Sequence, residues 1–269
     1  MTVDAQRDAR TAVERAAEEA RAGERERIAG TATREAVQRT LALRRRSGFR
    51  RFVFENGLTL AATALFLVSF VGQVATGHAV YNDERAGHGE PTVSVGAYLT
   101  TGAFLEATAE NWESEFLQMG VFVVLTAFLF QRGSSESKGI EEPDAVDQRP
   151  EDSRGDPDAP WPVRRGGIMM RVYEHSLSVA LFLLFAISFG LHAVGGSAEY
   201  NADQLRHGEQ AVSVLGYLST SRFWFESFQN WQSEFLSIGM LVVLSVYLRE
   251  RGSPESKPVA APHGETGSE

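Results

Sequence analysis

Two tripeptides hold side chains that could do chemistry: His88-Gly89-Glu90 and His207-Gly208-Glu209 each set an imidazole and a carboxylate two residues apart. Imidazole nitrogen and carboxylate oxygen suit zinc, manganese or iron, so His88, Glu90, His207 and Glu209 form a conceivable metal set. Such a site needs three or four convergent ligands with supporting hydrogen bonds. The plainer reading is a polar turn in which Gly89 or Gly208 permits the backbone bend. A second pair of motifs, NWESEF at 111–116 and NWQSEF at 230–235, puts Asn111, Ser114 and Glu115 on one helix face, and Asn230, Ser233 and Glu234 repeat the pattern. Glu115 and Glu234 stand where each helix enters an apolar run. Gln73 and His192, near the ends of two other apolar runs, are their expected partners. These eight residues make a candidate polar cluster, read either as a structural hydrogen-bond network or as a proton or ligand site.

No nucleophile elbow, phosphate loop, HExxH or dinucleotide fingerprint is present, so no catalytic or cofactor-binding residue and no cofactor is expected. The absence of cysteine excludes disulfides, thiolate chemistry, iron–sulfur clusters and Cys-based zinc sites. A net charge of -9 argues against nucleic acid as a partner.

The elements that must position these residues are apolar. The mean hydropathy of -0.18 is that of an ordinary soluble protein, but the apolar residues gather in four blocks between charged segments. Gly57 to Gly77 carries no charge, enough helix to cross about 30 Å of hydrocarbon. Phe116 to Phe130, extended back through Trp112, Leu177 to Val194, and Phe235 to Leu248 behind Trp231 read as three further spans. The alternative, buried core helices of a soluble protein, sits poorly with four such runs on matching flanks. The first run begins behind a long charged segment, which argues against a cleavable signal peptide.

Lys and Arg set the orientation. Arg44, Arg45, Arg46, Arg50 and Arg51 precede the first span, and Arg132, Lys138, Arg149, Arg154, Arg164, Arg165 and Arg171 lie between the second and third. Arg249, Arg251 and Lys257 follow the fourth, whereas the other two loops hold Arg85, Arg206 and Arg222. The positive-inside rule therefore predicts cytoplasmic termini and linker, with the loops 78–114 and 197–233 outside. A bacterial inner membrane and a lipid-bilayer partner follow.

A shift of 119 positions aligns Tyr81-Asn82 with Tyr200-Asn201, the two HGE tripeptides, VSV at 93–95 with 212–214, Tyr98 with Tyr217, and RGSSESK at 132–138 with RGSPESK at 251–257, all without a gap. Such self-similarity indicates duplication. Two spans per unit make the repeats parallel, which predicts an all-α membrane protein: four transmembrane helices as two two-helix units about a pseudo-twofold axis along the membrane normal, plus a cytoplasmic helical arm. A homo-oligomer of such units gives the same bundle. Gly120, Gly239, Ser69 and Ser188 are small residues expected at close helix approaches. Thr100-Thr101 and Ser219-Thr220-Ser221 are expected N-caps, and Gly133 and Gly252 are expected to close helix ends.

The motifs HGE, NWxSEF and RGSxESK resemble an uncharacterised family of bacterial multi-pass membrane proteins, a domain of unknown function. The resemblance covers roughly 52–138 and 171–257 and implies no mechanism. The expected organisation is a charged helical arm (1–48), a first unit (49–138, spans about 57–77 and 113–131), a disordered acidic linker (139–168), a second unit (169–257, spans about 176–195 and 232–249) and a polar tail (258–269). The preferred function is a non-enzymatic interaction or envelope-associated module that contacts other membrane or envelope proteins. A small transporter or channel is one alternative. An outward-facing metal-binding protein or metalloenzyme using the HGE segments is another.

Overall fold

A computed structural model describes residues 48–140 and 144–267, so the expected arm lies almost wholly outside the described residues. Among these residues every regular element is helical. The chain divides into two units, residues 1–73 and residues 74–269. The first contains α1 (Phe49–Glu55) and the opening turns of α2 (Gly57–Gly87). Arg51 pairs with Glu55 one turn along α1 at 2.7 Å, and most large apolar side chains from Phe49 to Val71, such as Leu58, Leu65 and Val68, are exposed.

The second unit holds the end of α2, then α3 (Val95–Tyr98) and α4 (Gly102–Phe128). Short 3-10 turns at Ala145–Asp147 and Pro150–Ser153, with α5 (Trp161–Arg165) and α6 (Gly167–Glu174), fill the linker and the approach to α7 (Ser176–Arg206), α8 (Val214–Leu218) and α9 (Ser221–Tyr247). Within the acidic linker Lys138 Nζ meets Asp147 at 2.5 Å, and Asp144 caps the first 3-10 turn.

Two helices, α2 and α7, are long and apolar enough to cross a membrane. None of the apolar window of α2, and 17% of that of α7, is buried. Helix bounds recur at the offset seen in the sequence: Gly57–Gly87 becomes Ser176–Arg206, and Gly102–Phe128 becomes Ser221–Tyr247. Thr101 and Thr220 cap α4 and α9, accepting from the backbone nitrogens of Phe104 (3.2 Å) and Phe223 (3.4 Å), and so satisfy donors that a helix start leaves free.

Helix α4 packs along α7 in the opposite direction. Gly102 lies against Gly195 and Ala198, and Gly120 against Phe182. A Cβ at Gly102 would stand 2.7 Å from the Gly195 carbonyl oxygen, and one at Gly195 would stand 2.6 Å from the Glu106 backbone nitrogen. The expected small-residue contacts divide: a Cβ at Gly120 meets the Phe182 ring at 3.3 Å, whereas at Gly239 nothing lies within 4 Å. Helix α9 runs parallel to α4, since Asn230 and Trp231 reach Glu110 and Glu113 while Ser245 reaches Ser134 beyond the end of α4. Ala193, Tyr217 and Phe223 form the apolar core where α7, α8 and α9 meet.

Gly133 (φ 86°) and Gly252 (φ 87°) close not the helices but a turn beyond them, because Leu129 and Leu248 leave α4 and α9 extended. In that turn Ser137 and Ser256 accept from the backbone nitrogens of Gln131 (3.1 Å) and Glu250 (2.9 Å). The buried Lys257 donates to the carbonyls of Pro262, His263 and Glu265 at 3.2, 3.0 and 2.8 Å, tying the tail to this turn.

Candidate functional site

The HGE tripeptides end α2 and α7. Gly89 (φ 72°) and Gly208 (φ 76°) take the left-handed conformation. The nitrogens of Glu90 and Glu209 reach back to the carbonyls of Arg85 and Gln204 at 2.8 Å each, a Schellman closure. His88 and His207 fold onto the carbonyls of Glu84 (2.8 Å) and Asp203 (2.9 Å) and are exposed. Glu90 pairs with Arg85 (2.8 Å) and Arg206 (3.1 Å), and Glu209 accepts from Gln204. His88, His207 and Glu209 are thus engaged within their own segments, and Glu90 bridges from Arg85 to Arg206.

The repeated spacing of the remaining matched residues has a mechanical meaning. Asn82 bonds both the nitrogen (2.8 Å) and the oxygen (3.0 Å) of Val93, and Asn201 does the same to Val212 at 2.7 and 2.8 Å. Each asparagine folds the segment after HGE back along its helix. Tyr98 and Tyr217 then lie over Gly77 and Gly196, where a Cβ would stand 2.3 and 2.5 Å from the phenol oxygens.

Of the candidate polar cluster, Asn111 and Ser114 bond within their own helix, to the carbonyls of Ala107 (2.7 Å) and Asn111 (2.8 Å); Ser233 likewise bonds Asn230. Glu115 is exposed and Glu234 half-buried. Gln73 lies in the first unit and is half-buried. His192 and Asn230 are drawn into a different cluster, between α4, α7, α8 and α9.

Its centre is His192, fully buried. Nδ1 lies 2.7 Å from Glu113 Oε2; a carboxylate can only accept, so Nδ1 carries the proton. The other oxygen of Glu113, also fully buried, accepts from Trp231 Nε1 at 3.1 Å. The opposite ring nitrogen, Nε2, is buried without a hydrogen-bond partner and faces Glu226 Oε2 at 3.7 Å. Phe223 stacks on the imidazole with centroids 4.7 Å apart.

Glu226 is gripped by Arg222 (2.9 Å) and Tyr217 (2.7 Å), and the same phenol lies 3.3 Å from Glu106. Asn230 donates to Glu110. Burial pushes the Glu106 carboxyl up to about 7, helped by the charge of Glu226. Burial also raises Glu110. Burial would raise Glu226 too, but the neighbouring imidazole and the bonds from Tyr217 and Arg222 outweigh it and hold that carboxyl below its usual range. The Tyr217 phenol is raised by burial and by its bond to Glu226.

Among the described residues, Glu106, His192 and Glu226 are the one set of His, Asp or Glu ligand atoms gathered for an ion, all within 4.8 Å of one another. The sequence reading favoured residues matched at the 119 offset, and these are not matched: Glu106 corresponds to Phe225, Glu110 to Gln229, Glu113 to Gln232, Glu226 to Ala107 and His192 to Gln73. The signal that finds them is the spacing of Glu106, Glu110 and Glu113 at i, i+4 and i+7, an acidic stripe leading into an apolar run.

No curated protein and no solved structure matches the chain. A family model does match, over residues 49–268, and the chain belongs to that family, which is described as a domain of unknown function (DUF6766).

Proposed function

We propose that the chain is a multi-pass membrane protein of four spans, built as two parallel two-helix units, and that it serves as a non-enzymatic interaction module in a bacterial inner membrane. Helix direction carries this reading. Successive long helices α4 and α7 run antiparallel, while α4 and α9, equivalent at the 119 offset, run parallel. Four spans that cross alternately require this pattern, and parallel repeats require equivalent helices to point the same way. The apolar windows of α2 and α7 are largely uncovered by protein, as lipid-facing helices are and soluble core helices are not.

The uncharged stretches Phe116 to Phe128 and Phe235 to Tyr247 supply the other two spans. They hold no Asp, Glu, Lys, Arg or His, which disfavours an ion-coupled carrier. The exposed ends of α2 and α7 are the surfaces offered to other envelope proteins. The absence of native cysteine makes the topology directly testable. His88→Cys and His207→Cys react with a membrane-impermeant maleimide on intact cells, while Asp152→Cys and Glu255→Cys react after permeabilisation. Labelling of positions 88 and 152 from the same side overturns the arrangement.

A further inference from the structure

We infer that His192, Glu106 and Glu226 form a binding site for one divalent first-row transition cation, with zinc, manganese and iron(II) as the class. The site is new relative to the HGE segments, whose side chains are committed to helix ends. It is carried by two independent observations. The three ligand atoms lie within 4.8 Å of one another. The Nε2 atom of a fully buried imidazole points into that space with no hydrogen-bond partner, an arrangement that buried polar atoms rarely keep unless something completes it.

The remaining neighbours behave as the support of a metal ligand does. A ligating histidine characteristically donates its other ring N–H to a carboxylate, which fixes the ring and raises its basicity. Glu113 occupies that place at 2.7 Å and is itself held by Trp231. Phe223 stacked on the ring removes its rotational freedom. Tyr217, between Glu226 and Glu106, orients the two carboxylates with a single phenol proton.

Charge points the same way. Glu106, Glu110, Glu113 and Glu226 converge here, and Arg222 is bonded to Glu226. Buried carboxylates in excess of their cations are costly, so they take up protons or a metal ion. One nitrogen and two carboxylate oxygens suit zinc, manganese or iron(II), with carboxylate rotation closing the ligands to about 2.0–2.2 Å from the ion.

The experiment uses the full chain in detergent, stripped with chelator and then titrated with Zn(II) or Mn(II) alone. Bound metal is counted by elemental analysis. The expected result is one ion per chain and one imidazole in the X-ray absorption shell. Glu226→Gln and His192→Gln weaken binding by more than about tenfold; Glu113→Gln, acting behind the ligand, weakens it by about 10–100-fold. Glu106→Gln removes one anionic ligand oxygen at nearly constant shape and lowers affinity at least about tenfold. The double variant His88→Ala with His207→Ala binds as the wild type does. Absence of a stoichiometric ion with both metals, or unchanged affinity in Glu106→Gln, overturns the inference and leaves His192 as a structural bridge between Glu113 and Glu226. Metal stoichiometry is independent of membrane topology, so either result stands whatever the maleimide labelling shows.

Discussion

His192 and Glu113 meet at 2.7 Å, 79 positions apart in the chain, and both are fully excluded from solvent. Removing one member of such a pair leaves the other buried and uncompensated. Glu113→Ala should destabilise the chain by roughly 3–5 kcal/mol, whereas the double replacement Glu113→Leu with His192→Leu should cost distinctly less than the sum of the single changes. Thermal and denaturant unfolding of detergent-solubilised protein checks the cycle; additive losses contradict direct coupling.

The crossing of α4 and α7 depends on backbone meeting backbone. Gly195→Ala places a methyl 2.6 Å from the Glu106 nitrogen, which neither helix can relieve by a rotamer change. A loss of about 1–3 kcal/mol is expected. At Gly190 nothing lies within 4 Å, so Gly190→Ala should be neutral or stabilising, because alanine is the better helix former. Melting temperatures of the two variants, measured side by side, separate a tight crossing from general intolerance of substitution.

Glu106 titrates near 4.5 when unfolded and is raised to about 7 in the fold. The folded state therefore holds an extra proton between those values. The stability contribution of this group is fully present below about pH 4.5 and is lost as pH rises through about 7. In chelator-treated protein the melting temperature should fall from pH 5 to pH 8, and Glu106→Gln should flatten that fall. Glu226 acts oppositely: its lowered carboxyl contributes above the usual range and loses its contribution as pH drops below it. A Glu106→Gln profile with undiminished slope between pH 5 and 8 rules out this origin.

Asn82 and Asn201 each hold the segment after HGE by two hydrogen bonds to one residue. Asn201→Ala leaves the nitrogen and oxygen of Val212 without their side-chain partner, at a cost of about 1–3 kcal/mol. Protease cleavage between 207 and 213 should accelerate, while cleavage in the linker at 149–154 stays unchanged. Asn82→Ala should act more weakly between 88 and 94, because His78 Nε2 still meets the Val93 oxygen at 2.8 Å.

The frame was legible in the sequence for a physical reason. Caps at Thr101 and Thr220 and left-handed glycines at 89 and 208 are local devices, set by residues within one turn of each other. The paired helix bounds follow from identical local signals at a fixed offset. The site was not legible in the same way. Partners such as His192 and Glu113, or Tyr217 and Glu106, are brought together by tertiary packing, and matched motifs direct attention to what the halves share. Gly133 and Gly252 show a further limit: their left-handed conformation was readable, but a preceding extended leucine moved the helix end upstream.

The unmatched acids carry a consequence for assembly. Glu106, Glu110 and Glu113 come from one half of the chain, while His192, Tyr217 and Glu226 come from the other. Two identical copies of the first half would bring carboxylates without the imidazole, and two of the second would bring imidazoles lacking most of the acids. The peptide linker therefore does more than tether: it fixes a one-to-one ratio of unlike halves that separate polypeptides would have to find by diffusion, in competition with their own like pairings.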